Sequence, residues 1–216
     1  MSSRNLFGVA QFLKVYPGMF IQPFQGQDLI LKGEFAFKAN PPNGPVIEDR
    51  YNLEISIPQK FPNAIPTVRE INGQIPKKDY YHINYDGTIC LGSPLRVLIK
   101  INENPDLCGF AMSCLVPYLY AVSYKLINGG NLCFGELAHG KQGIMDDYKE
   151  LFGLSTEEQV IEVLRLLGMK KKIANKKPCP CKCGKRLGRC SFRKKLNYFR
   201  TLAPSYWFVN DMKNNL

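Results

Sequence analysis

Tyr80-Tyr81-His82-Ile83-Asn84-Tyr85-Asp86-Gly87-Thr88-Ile89-Cys90-Leu91-Gly92 is the stretch around which the chain is organised. Its Asp86-Gly87 pair marks a turn, because Asp bonds back to nearby backbone and Gly tolerates positive φ. A short apolar and β-branched run then delivers Cys90. His82, one of two histidines in the chain, lies eight residues earlier. A thiol just past a turn, with polar side chains folding back over it, is how a sulfur nucleophile is displayed. A cysteine beside a turn can also be a small core residue. The flanking sequence tips the reading toward the nucleophile.

Upstream, Leu6, Phe7, Val9, Ala10, Phe12 and Leu13 suit a short amphipathic helix over 4–15, ended by Tyr16-Pro17-Gly18. A strand is expected within 27–38. Asn40-Pro41-Pro42-Asn43-Gly44-Pro45 is a turn, and Tyr51 to Pro58 alternates apolar and polar as a second, antiparallel strand does. Thr67 to Ile71 is a further short strand after the proline-broken segment 61–66. Helices and an antiparallel meander together predict an α+β fold.

That order, with Phe61-Pro62, Pro66 and Val68 followed by Gly87-Thr88-Ile89-Cys90-Leu91, resembles the ubiquitin-conjugating enzyme family over roughly 5–130. The resemblance implies that fold, with Cys90 as the thioester-forming nucleophile. Where eukaryotic members carry His-Pro-Asn, this chain carries Tyr80-Tyr81-His82. His82 takes the place of the asparagine that holds the oxyanion; its ring N–H can donate the same bond, and a neutral ring nitrogen can accept a proton. His-x-x-x-Asp-Gly-Thr-x-Cys-Leu looks like the prokaryotic members of the superfamily. Some of these sit in antiphage operons of the CBASS kind, beside a cyclic-oligonucleotide synthase of the nucleotidyltransferase type.

Downstream, 93–107 reads as a loop overlooking Cys90, with Asn104 and Asp106 as counterparts of the family's gate or as members of a solvated turn. A long apolar helix with Pro117 inside it is expected over 109–127. Cys108, Cys114 and Cys133 read as structural, and His139 as a surface residue. A helix is expected from Ile144 to Phe152, stopped by Gly153. Another starts at a Ser155-to-Glu158 capping box and closes at Gly168.

The last segment differs in chemistry. Cys179, Cys181, Cys183 and Cys190 fall within twelve residues, which in a cytosolic chain reads as metal ligands rather than disulfides. The pattern resembles the SEC-C zinc motif, Cys-Pro-Cys-Gly-Ser-Gly-Lys-(basic)-x-x-x-Cys. The resemblance places a structural zinc on Cys179, Cys181 and Cys190. Cys183, where the motif has Ser, is inferred as the fourth ligand, because Ser191 stands where the motif has Cys or His. After it, Phe192, Tyr198, Phe199, Tyr206 and Trp207 interleave with Arg193, Lys194, Lys195 and Arg200, either anchoring the tail or stacking on bases.

Charge is uneven. The net +11 comes from 29 basic and 18 acidic residues, and 13 of the basic ones lie in 170–200, which holds no Asp or Glu. Such a segment suits an acidic protein surface or nucleic acid, or simply solubilises the chain. At 45% hydrophobic the chain can build a core. No uninterrupted apolar run approaches the ~18 residues of a membrane span, and no signal peptide opens the sequence. A cytoplasmic protein without membrane contact is expected.

Three parts follow: a conjugating-type domain over 1–150, a helical extension and basic linker over 151–173, and a zinc tail over 174–216. The expected activity is a cysteine-dependent acyl transfer, in which Cys90 forms a thioester with a partner's C-terminus, His82 steadies the oxyanion or relays a proton, and Asp86 shapes the turn. The resemblance implies the cyclic-oligonucleotide synthase as conjugation partner. The alternatives are a non-catalytic scaffold on the same fold and a zinc-tailed nucleic-acid-binding protein.

Overall fold

The computed structural model describes residues 6–23, 28–42, 44–130 and 140–216. They fall into two units, 1–91 with 99–136 and 92–98 with 137–216. Residues 140–150 group with the C-terminal helices and the cysteine-rich segment. Cys133 and His139 lie outside the described residues.

Unit 1 opens with a 3-10 turn and helix α1 (Val9–Val15). Seven residues are too few for a helix to persist alone in water. Packing holds it: Phe12 is wholly buried, and the Tyr16 ring just past the helix stacks on Phe35 at 4.1 Å between centroids. A fully buried side chain of this size contributes roughly 1.5–3 kcal/mol.

The antiparallel sheet then runs in chain order: β1 (Met19–Ile21), β2 (Leu29–Ala39), β3 (Ile47–Ile57) and β4 (Thr67–Glu70). The α+β class is as expected. β2 and β3 pair along their full lengths, from Leu29 opposite Ile57 to Ala39 opposite Ile47. Their alternation buries Leu31, Phe35, Leu53, Ile55 and Ile57 on one face. β1 was not expected. It crosses closely over Gly33, whose φ is 137°, and a Cβ there would stand 2.2 Å from the Gly18 carbonyl oxygen. Glycine is the residue that permits this approach.

Beyond the Cys90 segment the chain forms α2 (Pro94–Glu103), α3 (Leu107–Phe110), a π-helical turn over Ala111–Leu115 and α4 (Val116–Asn128). The expectation of a loop over 93–107 is corrected by α2. Proline is well placed at a helix's first position, where its missing N–H costs nothing. Leu95, Leu98 and Ile101 recur at helical spacing and are wholly buried. Residues 104–106 remain a short exposed turn between α2 and α3, in which Asp106 caps α3, accepting the Gly109 N–H at 2.8 Å. The π-helical turn lies just before Pro117, which sits in the first turn of α4, and the Ser113 hydroxyl donates to the Gly109 carbonyl.

The continuous helix Leu107–Asn128 has 22 residues and a mean hydropathy of 1.4 over its most apolar window. By length and composition this is enough to cross a membrane, although Ser113, Pro117 and Lys125 interrupt the apolar run. Two thirds of that window, 67%, is buried inside the protein, and α4 packs on β2 and β3 as a core helix does.

Unit 2 contains α5 (Gly140–Phe152), α6 (Glu157–Gly168), α7 (Lys171–Ala174), α8 (Arg193–Leu202) and α9 (Ser205–Asn215). The capping box of α6 is one residue later than expected: Thr156 is the cap and Gln159 its partner. Ser155 and Thr156 are both good caps. α6 packs most closely on α9, and a Cβ at Gly168 would meet the Val209 methyl at 2.6 Å. Residues 92–98 supply this unit's buried polar cluster. Asp147 accepts from Ser93 Oγ and, at 2.7 Å, from Arg96 Nε. The Tyr148 hydroxyl donates to Asp211 at 2.6 Å and accepts from the Leu95 N–H.

Candidate functional site

Residues 82–90 form a small hairpin. Ile83 bridges Ile89, the Asn84 N–H donates to the Thr88 carbonyl at 2.8 Å, and the Gly87 N–H donates to the Asn84 carbonyl. Gly87 has φ 81°, the left-handed value such a turn requires. Asp86 fastens the turn. One carboxylate oxygen accepts the Thr88 N–H at 3.0 Å and the Thr88 hydroxyl at 2.6 Å. Asn84 donates its amide to the same hydroxyl oxygen at 2.9 Å. These bonds, with Arg69 beyond at 3.8 Å, hold the Asp86 carboxyl below its ordinary range.

The returning arm of the hairpin lies along the open edge of β4. Thr88 bridges Arg69, and the Ile89 N–H donates to the Val68 carbonyl at 2.8 Å. Thr88 and Ile89 are buried by this docking, and Cys90, the next residue, is half-buried with a free thiol. The Cys90 N–H donates to the His82 carbonyl at 2.8 Å. The sequence-identified pair is thus joined through its backbone at the open end of the hairpin. His82 holds φ 54°, a left-handed conformation uncommon outside glycine, and is half-buried.

Two side chains from α4 grip the backbone just before His82. Lys125, buried, donates from Nζ to the Tyr80 carbonyl at 2.9 Å and stands over the Tyr80 and Tyr81 rings at 4.6 and 5.2 Å. The Tyr118 hydroxyl donates to the Tyr81 carbonyl at 2.7 Å. Burial, and to a lesser degree the neighbouring Cys90, push the Tyr118 phenol far above its ordinary pKa, so it stays a proton donor. Sequence reasoning missed both residues. They lie 37 and 45 positions beyond their partners, and a Tyr or Lys in an apolar helix carries no local mark of such a contact.

The remaining thiols differ. Cys114 is buried and burial raises its pKa; the same cause raises that of Cys108. In the basic segment, the Sγ atoms of Cys179, Cys181, Cys183 and Cys190 all lie within 4.8 Å of one another. Cys179 and Cys181 are 3.1 Å apart, Cys181 and Cys190 3.7 Å, and Cys183 and Cys190 3.6 Å. Lys182 at φ 57° and Gly184 at φ 75° turn the loop back on itself, and the Cys179 N–H closes it on the Lys185 carbonyl at 3.0 Å. The Phe192 N–H draws Cys190 down to about 7, while burial pushes Cys179 and Cys181 up. Four converging thiols can hold a metal ion, which would stabilise the thiolates that otherwise repel one another.

No family model, curated protein or solved structure matches the chain.

Proposed function

We propose that this chain is a cysteine-dependent acyl-transfer enzyme of the ubiquitin-conjugating type, with Cys90 as nucleophile. The observation that carries the reading is the placement of Cys90. It is half-exposed at the end of a hairpin docked on the edge of a four-stranded antiparallel meander. The amide before the thiol's own is spent on the sheet, and its own amide is spent on His82, so the backbone is fixed while the residue stays partly open to solvent. Fixing the nucleophile beforehand removes an entropic cost from the reaction.

In the proposed cycle a partner's C-terminal carboxyl arrives already activated, as an acyl adenylate or a thioester. The Cys90 thiolate attacks the carbonyl carbon, and adenylate or the donor thiolate leaves. An amine then attacks the new thioester, loses its proton, and expels the Cys90 thiolate as the amide forms. Negative charge develops on the carbonyl oxygen in both steps, and the His82 ring N–H is the donor assigned to it. The acyl donor is a cyclic-oligonucleotide synthase, and the setting a cytoplasmic antiphage response, as the resemblance of His82 through Leu91 implies.

The same reading gives the cysteine cluster a structural zinc. Tetrahedral zinc with Zn–S near 2.3 Å sets sulfurs about 3.8 Å apart, and two of the separations, 3.6 and 3.7 Å, are close to that. Cys183 rather than Ser191 completes the set, and zinc would hold the basic loops in one conformation.

Cysteine-resolved labelling with a thiol probe tests the assignment. Cys90 is expected to react faster than Cys108 and Cys114 in the native protein. Labelling of Cys90 no faster than the others would favour a non-catalytic scaffold.

A further inference from the structure

The acyl-transfer reading leaves the charge of unit 2 without a use. Of the thirteen Lys and Arg in 170–200, Lys195 and Arg200 are half-buried and donate to the Phe152 and Leu166 carbonyls, each at 2.8 Å. The other eleven are exposed. None of the eleven is in an ion pair within 4 Å among the described residues, although acidic residues of this unit pair readily with other cations, as Glu157 and Asp146 do with Lys149. The eleven are spread over α7, the cysteine loops and the first turn of α8. The loops are tied down by the Pro178–Arg186 bridge and by the Gly188 N–H on the Asn175 carbonyl. This many unpaired like charges on a fastened scaffold repel one another and weaken the fold. A polyanion removes that repulsion and releases its own counterions on binding.

The apolar residues of the segment narrow the choice of polyanion. Leu196, Phe199 and Leu202 of α8 face inward and are buried, so α8 has no apolar face to lay into a membrane. Its exposed side carries Lys194, Tyr198 and Thr201 at four- and three-residue spacing, which places them on one face. Tyr198 is 49% exposed amid these polar neighbours. A flat exposed ring one helical turn from Lys194 suits an unstacked base, whereas an acidic peptide needs no ring and a duplex keeps its bases stacked. We infer that the basic face of unit 2, α7 through α8, binds the phosphodiester backbone of single-stranded nucleic acid without sequence preference, with Tyr198 as a stacking platform.

The test uses the full-length, metal-loaded protein and a short fluorescent single-stranded oligonucleotide, titrated at several salt concentrations. The expected affinity falls steeply between about 0.05 and 0.2 M salt. The pair Lys171→Gln and Lys172→Gln should flatten the log–log slope by about 1.4, roughly 0.7 for each charge removed from a single-strand contact. Tyr198→Ala should weaken binding about tenfold while leaving the slope unchanged. Lys38→Gln in unit 1 should change neither. Metal content and circular dichroism report whether each variant is folded. Absence of binding at the lowest salt overturns the inference. So does equal binding of polyglutamate, which would assign the face to an acidic protein. Equal binding of duplex, insensitive to Tyr198→Ala, overturns the single-strand assignment. None of these outcomes depends on Cys90 chemistry.

Discussion

The Cys90 amide donates a 2.8 Å hydrogen bond to the carbonyl of His82, a residue held at φ 54°. One bond therefore ties the backbone of the proposed nucleophile to that of the residue proposed to brace the oxyanion. The grip extends outward, since Tyr118 holds the Tyr81 carbonyl and Lys125 holds that of Tyr80. Three successive residues, Tyr80 and Tyr81 before the hairpin and His82 at its start, are thus positioned by their carbonyls.

Tyr118→Phe is expected to leave the Tyr81 carbonyl without this donor and to cost about 1 kcal/mol of stability. If Tyr118 positions the 80–82 backbone, the rate of adduct formation falls while binding of the acyl donor is unchanged. Measuring rate and donor affinity separately distinguishes this from a general loss of stability. His82→Asn should retain more rate than His82→Ala, because Asn restores a side-chain donor.

Asp86 gives a pH signature. Its folded carboxyl is more acidic than an ordinary Asp because Thr88 donates to it twice. A depressed folded pKa means that the stabilisation is complete above the ordinary carboxylate range, about pH 4, and is lost as pH falls through the lower folded value. Asp86→Ala is expected to cost about 1 kcal/mol near neutral pH. Denaturant melts at pH 7 and pH 3 should show the difference between the two proteins shrinking at the acid end.

Asp147 is almost inaccessible to water and is paired with Arg96 at 2.5 Å and with the Ser93 hydroxyl. Removing one partner strands the other. Asp147→Ala is expected to destabilise unit 2 by about 3 kcal/mol, and the smaller loss in Arg96→Lys should fall between the two proteins. Urea unfolding followed by the Trp207 fluorescence of this unit provides the measurement.

The cysteine loops should bind one divalent zinc per chain, and chelation should lower the melting temperature of the fold around them. Cys183→Ser is expected to weaken zinc affinity by more than tenfold, and Ser191→Ala to leave it unchanged. Lys182 sits at φ 57°, a conformation that costs a side-chain-bearing residue roughly 1 kcal/mol, so Lys182→Gly should stabilise the loop by a comparable amount. Competition with a chromogenic zinc indicator reads the affinities.

The parts of the fold written locally were legible. β3 alternates apolar and polar residues, so its faces followed from period two, and the four cysteines drew attention by falling within twelve residues, although it is the turns at Lys182 and Gly184 that make them converge. α2 was hidden because Pro94 signals a break and a helix start with equal force, and only the buried spacing of Leu95, Leu98 and Ile101 decides. β1 has three residues and no pattern of its own; Gly33 across from Met19 makes it a strand. In the candidate site Cys90, His82 and Asp86 were found from the turn that joins them. Lys125 and Tyr118 were not, because their partners are set by how α4 packs rather than by sequence neighbours.

The most direct measurement is intact-protein mass spectrometry of the chain incubated with its acyl donor and activating source, before and after reductant. The account gives one added acyl mass on the Cys90 peptide, removed by excess thiol and absent in Cys90→Ala. An identical thiol-labile adduct on Cys90→Ala would contradict it.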